Sequence, residues 1–439
     1  MKKLKILMIG WEYPPSITGG LGMACRGLAR EVAARGHEVY FVLPRVHGDE
    51  PKDPGVHLIG LNTRDLPVSD GELQDMLSHF VERHGAEIRG LVPFGAYESQ
   101  PLTAEQIAQN LERIRMQLAK NMEDSQNAAE QILSGGYGSD LYHQIHLYAD
   151  FVSILAKRLK VDLIHAHDWM TFPAGLGALV QSGRPLVAHV HATEFDRSGI
   201  HGNRYVEDLE RHTFHRANAV VTVSNYTRQI IINRYQVSPD RVFPVHNAVE
   251  IEEQAGPARR PFEEKMVTFL GRITFQKGPD YFVRAARKVI DKNHNVRFVM
   301  VGTGDMYSRM IEMAADLGIG KYFHYTGFLK RDQIRQIYGM SDLYVIPSVS
   351  EPFGLTALEA MAQGVPVVVS KQSGVSEVIN NCIKVDFWDI DAIAKSILDV
   401  IGNDELHSQM RESGMQEARR ISWSQSAEKL EEVYRTVLA

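Results

Sequence analysis

Cysteine is almost missing from this chain: Cys25 and Cys382 are the only two in 439 residues. They stand far apart in apolar stretches, so two buried free thiols are expected. Neither a disulfide framework nor a cysteine-ligated zinc site follows from them. Long apolar runs are missing too, and no stretch reaches the ~18 residues of a membrane span. The opening KKLKILMIG couples charge to an apolar run too short for a signal peptide and leads into the polar turn WEYPPS. A cytoplasmic location is therefore expected. Nor does either charge dominate: 48 Lys+Arg stand against 54 Asp+Glu, a formal net charge of −6. Up to residue 250 there are 25 basic and 29 acidic residues, and beyond it 23 and 25. With neither half basic, nucleic acid is not expected as a partner, and electrostatic docking on anionic lipid is disfavoured.

What is present is alternation. The length exceeds what one hydrophobic core usually supports, so two domains are expected. Lys5 to Gly10 is a continuous apolar run of the kind buried on both faces of a parallel sheet. A Gly-rich loop, the amphipathic segment MACRGLAREVAARG and the strand HEVYFVLP follow, which together read as a βαβ unit. Residues 45 to 100 read as irregular, and a polar helical insertion is expected at about 95–140. Alternation resumes with VDLIHAHD, RPLVAHVHATE, a helix at 205–216, ANAVVTVS and RVFPVHNAV. The charged stretch EIEEQAGPARRPFEE lacks periodicity and marks a boundary, after which a second strand–helix series starts afresh. The predicted organisation is a Rossmann-like domain at 1–250, a linker at 251–262, a second such domain at 263–420 and a final helix at 421–439. That helix is expected to cross back onto the first domain.

In open α/β sheets ligands bind outside the carboxyl ends of the strands, so the residues there are the candidates. Gly19-Gly20-Leu21-Gly22 follows the first strand, where a backbone free of side chains and a helix N-terminus suit a diphosphate or a sugar. Neither GxGxxG nor GK[ST] occurs, so a nicotinamide-type or kinase-type phosphate site is not indicated. In GRITFQKG, Arg272 and Lys277 put two cations into one loop. Arg can bind a diphosphate bidentately while Lys acts as a mobile point charge. In SVSEPFGLTALEAMAQGVPVV, the helix opening at Gly354-Leu355-Thr356 offers N–H groups to an anion, and Glu351 and Glu359 offer carboxylates to vicinal hydroxyls. Glu359 lies in an otherwise apolar helix, and an acid there needs a partner.

Glu351-x7-Glu359, preceded by GRITFQKG, resembles the EX7E signature of retaining GT-B glycosyltransferases of family four. The GGLG loop, HAHDW and VHNAV are similar to the glycogen and starch synthase branch, and the resemblance spans nearly the whole chain. It implies two Rossmann-like, doubly wound domains with a crossover helix. It also implies glucose transfer from ADP- or UDP-glucose to the non-reducing end of an α-1,4-glucan; the alternative acceptors are a small or phosphorylated sugar, or a lipid-linked sugar. By the family pattern, Arg272 and Lys277 would neutralise the donor diphosphate and the Leu355 and Thr356 amides would bind phosphate oxygens. Glu351, with the Phe353 and Gly354 amides, would hold the donor sugar, and Glu359 the ribose. Phe328 would lie near the nucleobase, His191 beside the anomeric carbon, and Asp168 would point toward the acceptor. No metal or cofactor is implied. Bacterial glycogen synthases of a related family carry Lys where this chain has Ile17 and Tyr where it has Glu359, which places the chain nearer family four.

Other readings compete. His165-x-His167 and His189-x-His191 end adjacent strands, so four imidazoles can converge on a metal, although polar strand-end roles are expected instead. Asp389-x-Asp391 matches the D-x-D of metal-dependent transferases but precedes a helix, where Asp is an ordinary N-cap. A catalytically dead sugar-binding module would have lost some of Arg272, Lys277, Glu351, Glu359 and His191, and all are present. A non-hydrolysing sugar-nucleotide epimerase shares the architecture.

Overall fold

Each half of the chain builds its own parallel sheet. The computed structural model describes residues 3–17, 19–60, 141–250 and 260–439. The helical insertion expected at 95–140 and most of the expected linker lie outside these residues. The first sheet contains β1 (Lys5–Ile9), β2 (Glu38–Leu43), β3 (Val56–Gly60), β4 (Leu163–His167), β5 (Leu186–Val190), β6 (Ala219–Thr222) and β7 (Val242–Pro244). The second contains β8 (Lys265–Leu270), β9 (Val296–Val301), β10 (Phe323–Gly327), β11 (Leu343–Ile346), β12 (Val367–Ser370) and β13 (Ile383–Val385). Their orders are β3-β2-β1-β4-β5-β6-β7 and β10-β9-β8-β11-β12-β13. Every pairing is parallel, and helices intervene. This is the doubly wound α/β architecture that the alternation predicts.

The strand order positions the site. It reverses between β1 and β4 in the first sheet and between β8 and β11 in the second. Those reversals splay the connecting helices to opposite faces and open a crevice at the strand ends. The GGLG segment follows β1, HAHD spans the end of β4, GRITFQKG follows β8 and EPFG follows β11. The strongest sequence motifs thus flank the two switch points.

Three details differ from the sequence reading. β3 forms inside the stretch read as irregular; it is a half-exposed edge strand whose Val-His-Leu-Ile-Gly pattern is weakly apolar. Gly20, Leu21 and Gly22 belong to the helix Gly20–Ala34 rather than to a loop, with Gly19 as its N-cap. Cys25 is buried, but Cys382 is only half-buried.

The helix Trp423–Leu438, N-capped by Ser422, lies against the helix Gly20–Ala34. Trp423, Ala427, Leu430 and Tyr434 share a core with Ala24, Leu28 and Ala29. Gly27 makes the contact possible, because a Cβ there would come within 2.4 Å of the Trp423 ring. Glu431 pairs with Arg35 at 2.6 Å.

Candidate active site

Two helix N-termini meet across the crevice. The helix Leu355–Ala362 begins after Gly354, whose φ of 107° lies where side chains are rarely tolerated. A Cβ on Gly20, at the start of the opposing helix, would stand 3.1 Å from Leu355 Cδ1. The first N–H groups of both helices lack intrahelical acceptors by geometry, and both dipoles present their positive ends. Gly19 and Gly20 are exposed at this mouth.

The β8 loop supplies the cations. Gly278, with φ of 64°, packs its α-carbon so tightly under the Pro347 carbonyl that a Cβ would sit 2.1 Å from that oxygen. This brings the β8 loop against the β11 loop. Lys277 Nζ consequently lies 2.5 Å from Glu351 Oε2, which also accepts a bond from Ser348 Oγ at 3.0 Å. Glu351 is 5% exposed. Arg272 is exposed, and its Nη2 donates to Gln276 Oε1 at 3.1 Å. Phe353 is buried, while Phe328 stands 67% exposed beyond the end of β10.

Glu359 receives a bond from the hydroxyl of Tyr338, which also donates to the Thr356 carbonyl; the oxygens are 3.4 and 3.1 Å away. Burial beside Glu359 pushes the Tyr338 hydroxyl far up in pKa, so it stays a donor. Tyr344 OH reaches Thr356 Oγ1 at 2.7 Å. The helix that carries Thr356 and Glu359 is thus pinned by two tyrosines.

In the first domain, Asp168 and His191 form one unit. Asp168 Oδ1 accepts the His191 amide at 2.6 Å and the Ala192 amide at 3.3 Å. Its Oδ2 lies 3.7 Å from Arg197. The Asp168 backbone has φ 64° and ψ 169°, a region that usually demands glycine and costs a few kcal/mol. Through Oδ1 the carboxylate anchors the His191 loop. His191 Nε2 lies 3.0 Å from His167 Nδ1, and burial drives its ring toward the neutral form. All four strand-end histidines converge, with Asp389 elsewhere capping its helix by accepting from Ala392 N–H at 2.9 Å.

The sequence reading missed the contacts that join the two halves. Ser350 Oγ binds Asp196 Oδ1 and lies 3.1 Å from Tyr226 OH, and Ser224 Oγ donates to the Pro352 carbonyl at 2.6 Å. The first domain thereby grips the residues on both sides of Glu351. Glu377 accepts the amides of Asn225 and Tyr226 at 2.9 and 2.7 Å and meets His246 Nε2 at 2.7 Å. One signal was available: Thr193-x-x-Asp196 is a capping-box spacing, and the box forms.

Comparison with known proteins agrees with this architecture. Residues 250–417 match the family model for glycosyl transferases group 1, and residues 130–253 match that for Glycosyltransferase Family 4. The chain is 30% identical over 394 residues to an uncharacterized glycosyltransferase of Methanocaldococcus jannaschii, covering 86% of this chain and 83% of that one. It is 25% identical over 407 residues to a glycogen synthase of Mycobacterium tuberculosis, covering 90% and 86%. The sucrose-phosphate synthase structure from Thermosynechococcus elongatus superposes with a TM-score of 0.68 at 17% identity, covering 99% of each chain, and shares the fold. Among the described residues, no helix is long and apolar enough to cross a membrane. The chain belongs to the glycosyltransferases, with the GT-B architecture and a family 4 type of domain pair.

Proposed function

We propose that this glycosyltransferase moves glucose, with retention, from ADP- or UDP-glucose to the non-reducing end of an α-1,4-glucan. The observation that carries the reading is the pairing of Lys277 with Glu351 beneath two facing helix N-termini. The pair holds a cation for phosphate and an acid for hydroxyls in one place, each neutralising the other until a donor arrives. Lys277 then turns to the diphosphate with Arg272 and the Leu355 and Thr356 amides. Glu351, with the Phe353 and Gly354 amides, takes the sugar hydroxyls, and Glu359 takes the ribose. Phe328 flanks the nucleobase.

The positive field of these groups stabilises the leaving diphosphate, so the transfer step uses no metal. His191 sits beside the anomeric carbon and is held there by Asp168. The acceptor hydroxyl attacks on the face that the diphosphate leaves, and a leaving phosphate oxygen takes its proton. The glycogen synthase among the relatives supports the glucan acceptor.

The test is a donor-by-acceptor screen that reads nucleoside diphosphate release, followed by NMR of the product anomer. ADP- or UDP-glucose with maltooligosaccharide is expected to give an α-linked extension, and adding EDTA to the assay to leave the rate unchanged. A β-linked product removes retention, release only with a small or phosphorylated acceptor replaces the glucan, and a rate that depends on added Mn2+ removes the metal-free step.

A further inference from the structure

The four backbone amides that follow β5 each end on a carboxylate. His191 and Ala192 donate to Asp168 Oδ1, Thr193 donates to Asp196 Oδ2 at 2.8 Å, and Glu194 donates to Glu210 Oε1 at 2.9 Å. Asp168 and Glu210 both lie near Arg197, at 3.7 and 3.5 Å, and Arg197 also donates to the Ala192 carbonyl at 2.8 Å. Charge-assisted bonds of this kind are strong and directional, the more so away from water. The backbone around His191 is therefore held from several sides.

Asp196 differs from the other two acids. Its Oδ2 also accepts the Thr193 hydroxyl at 2.7 Å, while its Oδ1 reaches across the crevice and accepts from Ser350 Oγ. Asp196 is 1% and Ser350 7% exposed, so water competes little for that bond. Burial pushes the Asp196 carboxyl upward, and the bonds from Ser350 and Thr193 oppose the rise by favouring its ionised form. With its proton given to Asp196, Ser350 Oγ is free to accept from Tyr226 OH, 3.1 Å away. The backbone of Ser350 belongs to the donor half. Its amide points to the Gln276 carbonyl at 3.4 Å, as does that of Val349 at 3.0 Å, and Gln276 holds Arg272. The next residue is Glu351, whose amide is fixed by the Gln372 carbonyl at 3.0 Å. One hydroxyl thus joins two rigid segments, one carrying His191 and the other Glu351.

We propose that Asp196 is a positioning residue for glycosyl transfer: through Ser350 it fixes the His191 loop against the Glu351 loop, and with them the place of the anomeric carbon between the two halves. The inference rests on the roles given above to His191 and Glu351 and is independent of the nucleobase and the acceptor. The diphosphate is bound by Arg272, Lys277 and the helix Leu355–Ala362, all in the second half. Losing the Asp196–Ser350 bond should therefore spare diphosphate binding and slow the reacting step.

The test compares wild type with Ser350→Ala, Asp196→Asn, Asp196→Ala and the Asp196→Ala/Ser350→Ala double variant, on any donor and acceptor pair that wild type turns over. Ser350→Ala is expected to lower kcat about tenfold to a hundredfold, the scale of a small misplacement of reacting groups. Its affinity for ADP and UDP, measured by calorimetry, should stay within about twofold of wild type. Its scattering profile should match wild type, because the Glu377 bonds still hold the halves together. Asp196→Asn keeps an acceptor for Thr193 and a donor for Ser350, and should retain more of kcat than Asp196→Ala. The double variant should be no slower than Asp196→Ala, since both changes break one link. Should Asp196→Ala fail to fold, because Asp196 also closes the capping box of the helix Glu194–Ser198, Ser350→Ala leaves that box intact and decides alone. Wild-type kcat in Ser350→Ala overturns the proposal, as do losses that multiply in the double variant. An equal loss of kcat and diphosphate affinity, or an expanded Ser350→Ala profile, overturns it too, by making Ser350 a donor contact or a clasp for closure. Arg272→Ala, run beside these, tests the donor-site reading separately: wild-type turnover there removes that reading, whereas the Ser350→Ala result speaks to Asp196.

Discussion

Lys277 Nζ and Glu351 Oε2 lie 2.5 Å apart, with the lysine side chain 16% and the glutamate side chain 7% exposed. Removing one member of such a pair strands the other. Lys277→Ala is therefore expected to destabilise the protein by about 3–5 kcal/mol as well as to stop turnover. Lys277→Met combined with Glu351→Gln should recover most of that stability without recovering activity. Chemical denaturation and steady-state kinetics on the three variants separate the two effects. A single Lys277→Ala variant of wild-type stability would contradict the buried pairing.

Arg272 offers the cleaner probe of the diphosphate, because its side chain is exposed and, among the described residues, bonds only Gln276 Oε1. Arg272→Ala should leave stability within ~0.5 kcal/mol. It should lower kcat by roughly a hundredfold to a thousandfold, as is typical for the loss of one charge-stabilising donor. Wild-type turnover in this variant would remove the arginine from the donor site.

Much of this site was legible beforehand, for a physical reason. Strand-end glycines, paired cations and acids on an apolar helix are each costly in a core, so their presence in GRITFQKG and EPFGLTALEAMA points to a ligand. The alternating apolar runs gave both sheets because parallel strands are buried on two faces and need no partner-specific code. The edge strand β3 escaped because its burial is partial. The grip of Asp196, Ser224 and Tyr226 on the Glu351 loop escaped because serine, tyrosine and aspartate at a domain contact look like any surface residues until the partner loop is in place. The bonds of Asp168 to the His191 and Ala192 amides escaped as well, because they depend on a backbone conformation that no sequence pattern announces.

Glu359 tests the ribose assignment. Glu359→Gln should weaken nucleoside diphosphate binding about tenfold to a hundredfold, the worth of one charge-assisted hydrogen bond. Tyr338→Phe, which removes the hydroxyl that donates to Glu359 and to Thr356, should give a smaller loss. Calorimetric titration of ADP and UDP measures both. Unchanged affinity in Glu359→Gln would return that acid to the role of a helix-face residue.

The pH dependence of stability should carry the signature of Glu210. This carboxyl is buried, accepts the Glu194 amide at 2.9 Å and the Tyr235 hydroxyl, and is lifted to about 8, chiefly by desolvation. In the unfolded chain it titrates near ~4.3. Between those values the folded state keeps a proton that the unfolded state has released. Its contribution is therefore fully present below the unfolded value and is lost as the pH rises through about 8. The slope reaches at most ~1.4 kcal/mol per pH unit. Denaturation of wild type and Glu210→Gln across this window should differ in slope, with the variant flatter; parallel curves would mean that Arg197, 3.5 Å away, keeps the group ionised throughout.

Glu377 concerns closure of the two halves. Its carboxylate accepts the first amides of the helix Asn225–Tyr235 and meets His246, a set of charge-assisted bonds across the crevice. Burial alone would raise its pKa, but these bonds outweigh that and hold it below the ordinary range. The same helix carries Tyr226, which lies against Ser350, next to Glu351. Releasing Glu377 should therefore loosen the register between Glu351 and His191 as well as the overall closure. In solution scattering without nucleotide, Glu377→Ala is expected to be more expanded than wild type, and saturating nucleoside diphosphate should restore part of the compaction. Its kcat should fall more than its donor affinity, because misplacing groups that act only once both halves are in register affects the reacting geometry rather than ground-state binding. Identical scattering profiles for the two proteins, with and without nucleotide, would show that the Glu377 bonds do not govern closure.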